Sequence, residues 1–348
     1  MRKYLLTLLF LSGWYLAGTS LALAAGVVGD GNPTSCTETA LTTALTGGGV
    51  VTFNCGNDAT ITLTTDKPIA TTTTVDGGGK VTLQGGAFLV APNVPFTVNN
   101  LTLRGSPRAA IVNNGGVVTV NASHFLSNTN TSDGGAIVNQ NGTLTINTTT
   151  FENNRGANGG AIVSIGNAPL LIDDSDFIEN RATVGNGGAI SLTAQSGLVT
   201  ISKSTFFSNE ASNRESGSGG ALAVGANSRV TFVNATLVGN HAAGSASGGG
   251  HALYLTDGAI VTATNTTIAF HSFDRGAASV NVAIWAEAAA RVALANSILH
   301  ESECVGPATN NGHNVASFAT NGCNISNVSS TALLDVYNTN GSRHITYQ

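Results

Sequence analysis

Asp173-Asp174-Ser175-Asp176 is the densest run of carboxylates in this 348-residue chain. Clustered carboxylates can hold calcium, move protons as general acids and bases, or flank a glycosidic bond. On an extended strand Asp174 and Asp176 would share one face and Asp173 the other. One repeat further on, Lys203 falls in the column of Asp174, so an ion pair between neighbouring strands is the simpler account. The repeat before offers Asn147, Thr148 and Thr150 and the repeat after Ser202, Lys203 and Thr205, so neither adds a carboxylate for a calcium site. We therefore expect no catalytic residue, no metal site and no cofactor. Asp173, Asp174 and Asp176 stand as the alternative catalytic group.

The other reactive side chains are scattered. His124 and His300 fall in or beside strands, His251 in a glycine turn and His313 near the end, without the spacing of metal ligands. The GGGK at 77–80 is followed by Val81 and lacks the spacing of a phosphate-binding loop, so it reads as a turn. Asn-x-Ser/Thr triplets such as Asn141-Gly-Thr arise from composition. The four cysteines form two pairs, each 19 residues apart: Cys36 with Cys55 and Cys304 with Cys323. An even count in an exported chain suggests one disulfide at each end, the other reading being four free thiols.

These residues sit in a repeat. Eight-residue stretches begin at 96 (FTVNNLTL), 118 (VTVNASHF), 144 (LTINTTTF), 170 (LLIDDSDF), 199, 230, 261 and 292, at intervals that lengthen from 22 to 31 residues. Positions 1, 3 and 8 are apolar and the intervening ones mostly polar, the period of a strand. Thr stands at position 2 in six of the eight, as β-propensity favours. The second Thr column of an ice-binding solenoid is missing at position 4. No helix-length amphipathic stretch interrupts the repeats, and an internal period of this size marks a solenoid. We expect an all-β parallel β-helix of about ten coils, each repeat one turn.

Two marks punctuate the middle coils. GGAI at 134–137, 159–162 and 187–190, and GGAL at 219–222, place Gly134, Gly135, Gly159, Gly160, Gly187, Gly188, Gly219 and Gly220 where the chain bends between strands. F-x-x-N begins at the end of four of the eight stretches: Phe125 and Asn128, Phe151 and Asn154, Phe177 and Asn180, Phe206 and Asn209, with Leu237 and Asn240 a weaker form. Stacked Phe rings would fill the interior and stacked Asn side chains would bond from coil to coil. Together GGA[IL] and FxxN resemble the repeat of the polymorphic outer membrane proteins and of related bacterial right-handed parallel β-helix proteins, over roughly residues 96–303. That resemblance implies a right-handed coil of the pectin-lyase-like kind, an export signal and an adhesin-like role at the cell surface. In those proteins a membrane-embedded barrel follows the repeats; up to Gln348 no barrel-length run of alternating strands is read, so anchoring by a barrel is not among the expectations.

The ends are distinct from the repeats. Arg2 and Lys3 precede an apolar run and Ala22-Leu23-Ala24 suits cleavage, so residues 1–24 read as a signal peptide. Ser35 and Glu38 have capping-box spacing, and CTETALTTALT at 36–46 reads as a short helix before Gly47-Gly48-Gly49. The expected organisation is a cap at 25–49, a β-helix at 50–303, and disulfide-bounded end coils with a tail at 304–348. Only 9% of residues are charged, and the net charge is −5. This excludes the clustered Lys and Arg of a nucleic-acid surface, and no later stretch is apolar enough to span a bilayer. We expect a secreted or outer-surface protein with an adhesive, structural or interaction role; the sequence does not identify its partner, extracellular glycans and surface proteins being the candidates. The alternative is a polysaccharide lyase, a glycoside hydrolase or a glycan-binding module on the same fold.

Overall fold

The computed structural model describes residues 26–194, 197–212, 217–243, 249–271, 282–300, 302–316 and 322–323. The expected signal peptide and residues 324–348 of the expected tail lie outside them. The chain is a parallel β-helix: among the described residues every strand pairing is parallel, and strands bond to their counterparts one repeat away. A representative coil runs Thr143–Asn147, Thr150–Glu152, Arg155–Gly156 and Ile162–Ile165. The first two positions build a 21-stranded sheet, the third a four-stranded one and the fourth a ten-stranded one. The eight-residue stretches align in register, so Val118, Leu144, Leu170, Val199, Val230 and Val261 form one buried column.

Between the first two strand positions the backbone turns through the left-handed region, at Thr148 (φ 55), Asp174 (φ 51), Lys203 (φ 47) and Asn234 (φ 55). The eight-residue stretch is thus two strands joined by a corner, and Asp174 is the corner itself. Period-two alternation therefore stops at Asp173, and the expectation that Asp174 and Asp176 share a strand face fails for that reason.

The GGA segments close the coil. Gly159 adopts φ 49. A Cβ on Gly160 would overlap the carbonyl oxygen of Gly188 and the backbone of Arg181, so two stretches of backbone meet where only hydrogen fits. Ala161 and Ile162 behind them are fully buried. Phe125, Phe151, Phe177 and Phe206 stack with centroids 4.7–4.8 Å apart and planes within 10°, near the spacing of neighbouring strands. Phe232, on the first strand position, meets Phe206 edge-on at 6.3 Å, and Leu237, Ile268 and Leu299 continue the Phe column.

Helix α1 (Glu38–Leu45) packs on the strand Gly26–Val28, which adds to the first coil beside Gly49–Phe53. Its N-cap is Thr37, whose hydroxyl accepts from Ala40 N at 3.1 Å. Ser35 instead ends a short 3₁₀ turn and accepts from Asp30 N. Glu38 does not reach back to the cap. Its carboxylate accepts from the backbone N–H groups of Thr64 and Thr65, from both their hydroxyls, and from Lys67 Nζ at 2.6 Å. Burial pushes this carboxyl up, but the bonds from Lys67, Thr64 and Thr65 outweigh it and hold it well below the usual carboxylate range. The helix is thereby tied to the next coil.

Candidate functional site

Polar side chains in the interior bond from coil to coil: a short ladder of Asn113, Asn139 and Ser164 lies on the ten-stranded sheet, and two longer ones lie beside the other strands. Asn154, buried, donates from Nδ2 to Asn180 Oδ1 at 2.9 Å and to the Phe125 carbonyl at 2.9 Å. Its own Oδ1 accepts from the backbone N–H and the side chain of Asn128. The pattern repeats through Asn180, Asn209 and Asn240. A second ladder runs beside the corners and leaves no mark as clear in the sequence. Ser123, Thr149 and Ser175 each accept from a backbone N–H one coil away or donate to a carbonyl two residues back. The signal that could have found it is a small hydroxyl residue two before the Phe in successive repeats.

At the sixth rung the Asn ladder changes. His271 takes the place of Asn, fully buried, with Nε2 3.1 Å from the Leu237 carbonyl and Nδ1 3.3 Å from that of Asn240. Burial, reinforced by nearby His251, pushes its pKa down to about 3 against the pull of the two carbonyls. His251 is pushed down to about 4 by burial and by His241, 5.3 Å away between ring centroids. Its Nδ1 accepts from Ala242 N at 3.1 Å. At neutral pH both rings are uncharged, so His271 has one N–H for two carbonyls.

The aspartates do not converge. Lys203 Nζ lies 3.2 Å from Asp173 Oδ2, so the ion pair forms with Asp173 and not Asp174. Asp173 also accepts from Ser202 Oγ at 2.7 Å. Asp174 accepts from Thr148 Oγ1 at 3.3 Å, and Asp176 is buried in the column of Thr150 and Thr205. His124 pairs with Glu152 at 3.1 Å, His300 meets Phe270 edge-on at 4.8 Å, and His313 is exposed. Cys36 is bonded to Cys55 and Cys304 to Cys323. Among the described residues no three His, Cys, Asp or Glu side chains gather to hold a metal ion, and no helix is long and apolar enough to cross a membrane.

What does gather lies on the outward side of the ten-stranded sheet, near its C-terminal end. Tyr254 and Trp285 pair in register on neighbouring strands, both partly open to solvent. Tyr254 Oη donates to Glu287 Oε1 at 2.6 Å. Glu287 Oε2 accepts from Asp257 N at 2.9 Å, and Asp257 Oδ1 accepts from Ala289 N at 2.8 Å. Burial, then the bond to Glu287 and the charges of Glu287 and Asp257, push the Tyr254 phenol up to about 12, so it stays a donor. Sequence reading passed over this group. The signal was available: Tyr254 and Trp285 are 31 residues apart, the local repeat length.

No family model, curated protein or solved structure matches the chain. The β-helix therefore rests on the strand pairing itself. The two disulfides fit a protein outside the reducing cytoplasm.

Proposed function

We propose that this protein is an exported β-helix that works at the cell surface or outside the cell by binding and structure rather than by catalysis. One observation carries the reading: on the 21-stranded sheet the outward side chains repeat from coil to coil, and the carboxylates of Asp173, Asp174 and Asp176 do not converge there. Thr97, Thr119 and Thr145 form one outward column and Thr200, Thr231 and Thr262 continue it. Asn99, Asn121 and Asn147 bond along a second at 2.8 Å. Catalysis needs unlike groups brought to one reacting centre, whereas a repeated neutral polar face suits multivalent attachment. The repeat resemblance, the leader-like start and the paired cysteines support the same reading.

The test combines location with activity. The full chain, made in a secreting host, is expected outside the cytoplasm with its four cysteines oxidised. Purified and folded, it is expected to release nothing from pectic, alginate-like and other acidic polysaccharides, with or without calcium. Unsaturated or new reducing ends would make it an enzyme and return attention to Asp173, Asp174 and Asp176. Reduced protein retained in the cytoplasm would remove the surface role.

A further inference from the structure

Tyr254 is the only tyrosine and Trp285 the only tryptophan among the described residues, and they lie side by side. Their column on the ten-stranded sheet holds Val138, Val163, Ser191 and Ala223 in the preceding coils, all buried although they point away from the core. The glycine segments fold over them, as Gly159 does against Val163. In the next two coils the column changes from small covered residues to the two largest flat side chains available, and leaves both partly open. Stacking alone gives no reason for this. A covered aromatic would bury its full apolar area, and a surface position would be served by Thr, as elsewhere on the rod.

The surrounding polar groups are already set. Glu287 is held by Tyr254 and by the Asp257 amide, and Asp257 by the Ala289 amide. Each carboxylate still has acceptor capacity, the Tyr254 oxygen can accept once, and the indole N–H of Trp285 donates to no described residue. An apolar platform edged by a few fixed polar groups is the form of a small-molecule site. Fixed acceptors beside flat rings match a molecule with apolar ring faces and a rim of hydroxyls. Adjacent coils are about 4.8 Å apart, close to the length of one hexose unit in an extended glycan. The local charge is negative, from Glu287 and Asp257 with Glu303 on the following strand, which disfavours uronic-acid polymers and phosphates.

We infer that this face binds a neutral carbohydrate chain, with sugar rings against Tyr254 and Trp285 and hydroxyls held by Glu287 and Asp257. The inference rests on the interaction role proposed above and names its partner by chemistry.

The test uses the secreted full-length product and a panel of neutral hexasaccharides: β-1,4-linked glucose, N-acetylglucosamine and mannose, and α-1,4-linked glucose, with polygalacturonate as the acidic control. Binding is read by calorimetry and by tryptophan fluorescence. At least one neutral member is expected to bind and the acidic polymer not to. Trp285→Ala is expected to weaken binding at least about tenfold, and Tyr254→Phe, which keeps the ring and loses the bond to Glu287, by less. Circular dichroism confirms that each variant is folded. Failure of every neutral sugar to bind the folded parent would overturn the inference, as would Trp285→Ala binding like the parent. Trp285→Ala converting a dimer to a monomer in sedimentation would overturn it too, making this face a contact between copies. Location of the same variant is read in parallel. Surface retention without sugar binding removes this inference alone, whereas cytoplasmic retention removes the proposed function.

Discussion

The coils from Phe125 to Asn240 and those after His241 solve the same problem differently. In the first region two interior columns keep one residue type over several coils: four Phe rings from Phe125 to Phe206, and five Asn side chains from Asn128 to Asn240. In the second, Ile268 and Leu299 replace Phe, and His271 and Ser302 replace Asn. The difference shows what regularity costs. Where every rung is bonded to the next, a residue is fixed by its neighbours above and below, and little is left to vary. Where the rungs differ, the outward column differs as well, and Tyr254 and Trp285 appear there. The regular coils hold the rod together, while the irregular ones carry its individuality.

The sharpest way to break this contrast is to remove matched interior side chains. Phe177→Ala takes one ring from a stack of four and should cost about 4 kcal/mol, with the opening felt in the coils on both sides. Leu299→Ala, in the irregular region, should cost about 3 kcal/mol and loosen only the last coils. Residue-level hydrogen exchange would show it. Equal, local effects at both positions would mean that the Phe stack adds nothing beyond burial.

The N-terminal end gives the next largest effect. Lys67 is 3% exposed and its charge is answered by Glu38 at 2.6 Å. Glu38→Ala leaves that ammonium buried and unpaired, and should cost about 3 kcal/mol, freeing α1 before any coil opens. Because the folded-state pKa of Glu38 is lowered, its contribution is complete above the ordinary carboxyl value of 4.5 and is lost as pH falls below it. Acid melts of the parent and of Glu38→Ala should therefore converge. A constant difference down to low pH would contradict the assignment.

Much of this fold was legible because its signals repeat. Thr119, Thr145, Thr200, Thr231 and Thr262 recur in one column that Leu171 interrupts once, and GGA and FxxN mark the same two places in four coils. Legibility failed where a residue acts once. In VTVNASHF and LTINTTTF nothing says that the fifth residue is a left-handed corner, since Ala122 and Thr148 are not residues that favour it; Asp174 and, in other repeats, Asn100, Asn234, Asn265 and Asn296 are. The corner moved the Lys203 ion pair from Asp174 to Asp173. Glu38 was legible as a helix-start residue, but its real partners are 26–29 residues away, beyond any local pattern. The aromatic pair escaped because it breaks a column instead of making one.

The two regions should also differ in acid. His271 and His251 are uncharged in the fold, with pKa values pushed down to about 3 and about 4 from an ordinary 6.5. The unfolded chain binds more protons between those values, so stability falls as pH drops below 6.5, by about 1.4 kcal/mol per pH unit for each ring. The loss should be confined to the C-terminal coils, since the Asn rungs do not titrate. His271→Asn would extend the Asn ladder by one rung and should remove about half of the acid sensitivity. Hydrogen exchange at pH 7 and pH 5 compares the regions directly. Uniform protection at both values would refute the regional difference.

The smallest expected effect separates structure from chemistry at the aspartates. If Asp174 serves as a corner, what matters is its tolerance of positive φ, and its carboxylate, which accepts from Thr148, is secondary. Asp and Asn share that tolerance because a short polar side chain can bond to the local backbone. Asp174→Asn should then be silent, and Asp174→Gly nearly so, with the glycine's freedom offset by its extra entropy in the unfolded chain. Asp174→Ala should cost no more than about 1 kcal/mol. A carboxylate acting on a bound ion or a proton predicts another order, in which Asn, Gly and Ala fail alike while the fold survives. The ranking of three variants at one position therefore decides between the two accounts, even though none of the energies is large.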